Sequence, residues 1–242
     1  MRREYHRWFS PHLRRDMELL IFGHAGAKVL VFPTRDGRFY EYEDLGMVNA
    51  IRHKLEAGHL QLFCVDSIVR ESLYNHACLP HERIQRHIEF ERYILDEVMP
   101  LMVWKNGHEC TISHGCSLGA YHAATIAFRH PHLFRKVAAF SGRYDLTLNV
   151  ETFHNLFDGY YDETIYYHTP SHFLPHLQRG DLLSHLRRID LVLTVGNEDP
   201  FLPNNRELSE VLMAKNLPHS LHVWDGRAHQ GSAWRRMAPL YL

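Results

Sequence analysis

Three side chains of this sequence can combine into one reaction. Ser117 sits in Gly115-Cys116-Ser117-Leu118-Gly119, a G-x-S-x-G pentapeptide. A serine hydroxyl is a poor nucleophile until a histidine removes its proton, and that histidine needs a carboxylate to fix its tautomer and orientation. The glycines fit a sharp strand-to-helix turn, in which the serine backbone is cramped and its neighbours on either side must lack a Cβ. The flanks agree with such a turn. Cys110-Thr111-Ile112 reads as the end of a buried strand, and Ala120-Tyr121-His122-Ala123-Ala124-Thr125-Ile126-Ala127-Phe128 as a helix with an Ala-rich face that can approach a sheet closely.

The acid and the base follow from chain order, which in this type of turn runs serine, acid, histidine. Gly196-Asn197-Glu198-Asp199-Pro200 closes the apolar run Ile189–Val195, so Asp199 and Glu198 both qualify by position. Asp199 is favoured because it lies deeper in the loop, ahead of Pro200-Phe201-Leu202-Pro203. His229 is the only histidine between the last strand and the closing helix, whereas its rival His222 falls within the strand. A developing oxyanion would need two backbone N–H groups. Leu118, the residue after the serine, offers one. The other must come from the loop after Val29–Phe32; Pro33 has no N–H, which leaves Thr34 or Arg35, with Arg35 preferred.

The elements that must position these residues alternate. Two strands are expected over Tyr5–Phe22 about a Ser10-Pro11-His12 turn, then a strand at Ala27–Phe32 that is apolar without alternation, the mark of burial on both faces. A helix is expected from about Asp44 to Ala57, a strand at Leu60–Asp66, and a helix from Pro80 to about Val98. Strands at Val137–Ser141, Ile189–Val195 and Ser220–Trp224 follow, with helices at Asn204–Lys215 and Ser232–Leu240. The pattern specifies a mostly parallel central sheet with antiparallel N-terminal strands and helices on both faces. No repeat or linker interrupts it, so residues 1–242 read as a single catalytic domain. The aperiodic, aromatic-rich segment 143–188 reads as a cap or pocket-wall insertion.

Bulk properties exclude several other functions. The 242 residues carry a net charge of −1, so there is no basic field for nucleic acid or anionic lipid. Charges interrupt every N-terminal apolar run, which leaves no signal-peptide core and no membrane span. Cys64, Cys78, Cys110 and Cys116 show no paired spacing and suit a reducing, cytoplasmic setting. Among 21 histidines, His168, His172 and His176 have helical metal-site spacing, but Pro170 and Pro175 break a helix there and no Cys or carboxylate completes the set. These histidines are therefore not expected to hold a metal.

With those residues placed, the chain resembles the putative esterase family of α/β-hydrolases, which includes the S-formylglutathione hydrolase (esterase D) and antigen 85 mycolyltransferase types. The resemblance spans nearly the whole chain. It is carried by Val31-Phe32-Pro33-Thr34 with Gly37-Arg38-Phe39-Tyr40-Glu41-Tyr42, Asp66-Ser67, Ser113 to Tyr121, Ser141-Gly142-Arg143-Tyr144-Asp145, Gly196-Asn197-Glu198-Asp199, and Trp224-Asp225-Gly226 before His229. It implies an α/β-hydrolase fold and a Ser-Asp-His esterase that works through an acyl-enzyme on a small-molecule ester, with no metal and no organic cofactor. The same site would also serve an acyltransferase or a thioesterase. A non-catalytic binding protein on this scaffold is disfavoured by the complete residue set. The sequence is compatible with a homo-oligomer and specifies no oligomeric state.

Two departures from the family stand out. Relatives follow the histidine with H-[DS]-W-x-x-W, whereas this chain reads His229-Gln230-Gly231-Ser232-Ala233-Trp234 and keeps only the second tryptophan. A small Gly231 would open the pocket or loosen the loop. Arg35-Asp36 stands where relatives carry small uncharged residues, and its guanidinium would recruit an anionic substrate or project to solvent.

Overall fold

Eight strands form one sheet in the order β1-β2-β4-β3-β5-β6-β7-β8, in a computed structural model that describes residues 1–178 and 180–242. The strands are β1 (Arg3–Ser10), β2 (Arg15–Phe22), β3 (Ala27–Phe32), β4 (Leu60–Val65), β5 (Thr111–Cys116), β6 (Lys136–Phe140), β7 (Asp190–Gly196) and β8 (His219–Trp224). β1 and β2 form an antiparallel hairpin, β2 joins β4 antiparallel, and every later pairing is parallel. The mixed sheet expected from the alternation is therefore the one observed.

The period of two in the strands sorts the core into two layers. Leu19, Ile21, Leu30, Phe32, Phe63, Val65, Val137 and Ala139 pack on one face with the helix Leu118–Arg129. Leu20, Phe22, Val29, Val31, Leu62, Cys64, Ala138 and Phe140 pack on the other with Met47, Ile51, Trp234 and Met237. Because both faces are covered, the central strands carry apolar residues at successive positions rather than alternately. The helix after β5 lies across β3, β5 and β6, and Ala120, Ala123, Ala124 and Ala127 let it sit close. It ends at Arg129, ahead of His130-Pro131, where the residue before a proline is steered out of helical geometry.

Two expected helices are built differently. In place of one helix from Asp44 to Ala57 there are three short ones, Glu41–Asp44, Met47–Ala50 and Arg52–Glu56. Gly46 at φ 72° and Ile51 at φ −110° break the run, since a left-handed residue cannot continue a right-handed helix. The helix from Pro80 does not end near Val98. It passes through a π turn at Ile94–Val98 into Met99–Lys105, and Pro100 is accommodated in the first turn of that last segment.

Residues 143–188 contain short helices at Glu163–Tyr167, Pro170–Phe173 and Asp181–Leu186. Phe173, Leu174, Leu183 and Leu186 join the main core. Leu146, Leu156, Phe157 and Ile165 form a smaller cluster with Leu118 and Tyr121 of the helix that follows Ser117.

Candidate active site

Ser117 stands between β5 and its helix with φ 56° and ψ −122°, a strained backbone for a residue with a Cβ. Its N–H donates to Phe140 O at 2.8 Å, which ties the corner to β6. The flanking glycines are required by contact. A Cβ on Gly115 would lie 2.2 Å from Gly119 O, and a Cβ on Gly119 would lie 2.4 Å from Phe32 O and 2.6 Å from Pro33 O. The corner thus brings the serine, the helix N-terminus and the loop after β3 together through backbone contacts that admit no side chain.

Two other loops meet Ser117. His229 Nε2 lies 2.8 Å from Ser117 Oγ, and His229 Nδ1 lies 2.8 Å from Asp199 Oδ2. Asp199 is completely buried at its side chain, and its Oδ1 accepts the Phe201 N–H at 2.9 Å. A carboxylate with both oxygens engaged holds the imidazole in one tautomer, with Nδ1 as donor and Nε2 as acceptor toward the hydroxyl. The rivals lie elsewhere. Glu198 is exposed. His222 is paired opposite Thr194 in β8 with its ring 4.6 Å from that of Tyr241.

The loop carrying His229 is braced by two residues whose role in it does not follow from sequence spacing. Ser141, immediately after β6, has φ 54° and is fully buried. Its hydroxyl donates to Ala228 O at 3.1 Å and accepts from Trp234 Nε1 at 3.1 Å. Ala228 has φ 49° and precedes His229 directly. The Trp234 ring also lies 5.7 Å from the imidazole. The only sequence signal for this brace is the retention of the second tryptophan. Gly231 opens no space beside it, because a Cβ there would meet Leu45 Cδ2 at 3.1 Å.

In the loop after β3, Thr34 N–H donates to Glu41 Oε2 at 2.8 Å and the Thr34 hydroxyl to Glu41 Oε1 at 2.6 Å. The first backbone N–H past Pro33 is therefore already committed. The Leu118 N–H, at the start of its helix, has no intrahelical acceptor. Ser117, Leu118, Arg35 and His229 share a cavity of about 340 Å³, walled also by Tyr74, Phe153, Phe201 and Trp234. The Arg35 side chain pairs with Asp36 at 3.1 Å and lies over the Tyr74 ring at 5.3 Å.

Of the three spaced histidines, His168 is buried and approaches Glu91 at 3.6 Å, while His172 bonds Asp145 at 3.1 Å. The His176 ring lies 6.3 Å from that of Tyr166. Among the described residues, no group of three or more metal-ligating side chains is placed to hold an ion.

A family model described as Putative esterase matches residues 66–237. The chain belongs to that family. As a putative esterase family member it is a carboxylic ester hydrolase, with a small-molecule ester as its substrate. No curated protein matches its sequence. Several solved structures are similar. A ferulic acid esterase aligns over 99% of this chain and 95% of its own at 14% identity, with a TM-score of 0.77. The S-formylglutathione hydrolase from Agrobacterium tumefaciens aligns over 98% and 91% at 14% identity, with a TM-score of 0.74. A ferulic acid esterase from Anaeromyces mucronatus, solved with ferulic acid, aligns over 99% and 88% at 15% identity, with a TM-score of 0.69. At these identities the likeness shows the α/β-hydrolase fold. Among the described residues no helix is long and apolar enough to cross a membrane.

Proposed function

We propose that this esterase hydrolyses short-chain acyl esters through an acyl-enzyme on Ser117, with His229 as general base and acid and Asp199 as its orienting carboxylate. The observation that carries this reading is the unbroken chain of 2.8 Å contacts from Asp199 Oδ2 through His229 to Ser117 Oγ. In the first step His229 Nε2 takes the hydroxyl proton as Oγ attacks the ester carbonyl, and the imidazolium then gives that proton to the departing alcohol. Water repeats the sequence on the acyl-enzyme, which returns Ser117 and releases the acid.

The negative oxygen that forms in each half-reaction is held by the Leu118 and Arg35 backbone N–H groups. Arg35 is assigned over Thr34 because Glu41 already occupies the Thr34 amide. No metal or organic cofactor takes part in these steps. Residues 1–242 act as one catalytic domain, in which the 143–188 segment supplies pocket wall through Arg143 and Phe153.

The short-chain preference rests on the cavity. About 340 Å³ is near the low end for small-molecule sites, and Phe153, Phe201 and Trp234 close its sides. Each methylene that finds apolar wall is worth at most ~0.8 kcal/mol, and one that meets a closed wall is penalised. An acyl series of 4-nitrophenyl esters tests this. The expected kcat/KM rises from acetyl to butyryl or hexanoyl and then collapses; a rise continuing to dodecanoyl would contradict it.

A further inference from the structure

Arg143 is a buried cation in the wall of the cavity that holds Ser117. It is only 4% exposed, and its guanidinium lies over the Phe201 ring at 5.6 Å. Nε donates to Asp145 O at 3.2 Å, and Nη2 is directed at Leu148 O and His154 O at 2.7 and 2.8 Å. Among the described residues Nη1 has no hydrogen-bond partner. The acid nearest in sequence is committed elsewhere: Asp145 Oδ1 accepts from the Thr147 amide and hydroxyl, and Oδ2 faces His172. Among the described residues no carboxylate stands within ion-pair distance of Arg143. Carbonyl dipoles account for part of its stabilisation, but a buried guanidinium with an unpaired nitrogen and no counter-ion is costly. Arginine stays protonated even so.

The other charges of the cavity are matched. Asp36 is bridged by Arg35 and Arg70, each at 3.1 Å, and Glu41 is held by Thr34. Arg35 thus has Asp36 as its counter-ion and Glu41 is hydrogen-bonded by Thr34, so that among the described residues Arg143 is the cavity-lining cation without an ion-pair partner. Tyr74 lies under the Arg35 guanidinium and lines the same cavity.

We propose that this wall binds an anionic group of the substrate, so that the preferred esters carry a carboxylate that meets Arg143, with Arg35 and Tyr74 at its edge. The inference rests on the catalytic reading above and adds a substrate class to it.

The test compares esters that differ only in charge. Monomethyl succinate is set against methyl 4-methylpentanoate, which places the carboxylate on the acyl side. Acetoxyacetate is set against isobutyl acetate, which places it on the alcohol side. Each kcat/KM is measured by pH-stat and divided by the ester's hydroxide-catalysed rate. A charge-assisted contact should favour the anionic member of at least one pair by ~10-fold to ~100-fold, and the pair that responds assigns the side. Arg143→Gln should bring that ratio close to one, and Arg143→Lys should keep part of it. Should the Arg143 variants fail to fold, the wild-type ratios decide alone. A wild-type enzyme that prefers the neutral member of both pairs overturns the inference. Ser117-dependent turnover of those neutral esters would leave the catalytic reading standing.

Discussion

The indole of Trp234 donates to Ser141 Oγ at 3.1 Å, and that hydroxyl donates in turn to Ala228 O at 3.1 Å. One hydroxyl therefore fastens the end of β6 and the closing helix to the turn that carries His229.

Ser141→Ala should remove this fastening without touching the reacting atoms. The expected result is a fall in kcat of roughly 10-fold with KM little changed, because small misplacements of a general base cost rate more than binding. Trp234 Nε1 would also lose its acceptor, so the melting temperature should drop. Unchanged kcat beside a lower melting temperature would make the contact purely structural.

Asp199→Asn should lower kcat far more than Glu198→Gln. The buried carboxylate of Asp199 holds the His229 ring at 2.8 Å, whereas Glu198 is exposed. Asparagine keeps the shape but allows the wrong tautomer, which in a comparable triad costs ~10⁴-fold. Steady-state kinetics on a simple ester decide the matter, and a Glu198→Gln enzyme that is the weaker of the two would reverse the assignment.

Stability should fall as the pH drops from about 6.5 toward 4. Burial lowers His114 to about 4, against a smaller opposing effect from its bond to Ala138 O, and burial lowers His122 to about 3. Burial, with His122 and His168 close by, also lowers His87 well below its ordinary value. A histidine whose folded value is depressed binds its proton in the unfolded chain first, so its contribution is complete above about 6.5 and is lost below it. His172 works in the opposite sense, because its bond to Asp145 raises it. Urea midpoints measured from pH 7.5 to 4.5 should decline, and His122→Phe should flatten the decline. Midpoints that hold steady or rise would contradict this account.

The part of the site that was legible in the sequence is the part set by local geometry. Gly115 and Gly119 announce the corner because both stand within five residues of chain, Gly115 against the Gly119 backbone and Gly119 against Phe32 and Pro33 at the end of β3. Asp199 and His229 are singled out by chain order, because each stands in the loop that follows a strand, β7 for Asp199 and β8 for His229. The sheet is readable because strands covered on both faces carry apolar residues at successive positions, as β3 and β7 do. Ser141, Trp234 and Arg143 work through partners far along the chain or through the fold of an aperiodic segment, and no spacing encodes that. The expected Asp44–Ala57 helix failed at Gly46, where backbone freedom outweighed the surrounding helical pattern.

The central claim is that Ser117, His229 and Asp199 act as one catalytic unit. Ser117→Ala, His229→Ala and the double variant, assayed on 4-nitrophenyl butyrate beside wild type, test it most directly. Each single substitution should lower kcat by about 10³-fold or more, and the double variant should be no worse than either. A Ser117→Ala enzyme that keeps most of its activity, or a double variant whose loss is the product of the two single losses, would contradict it.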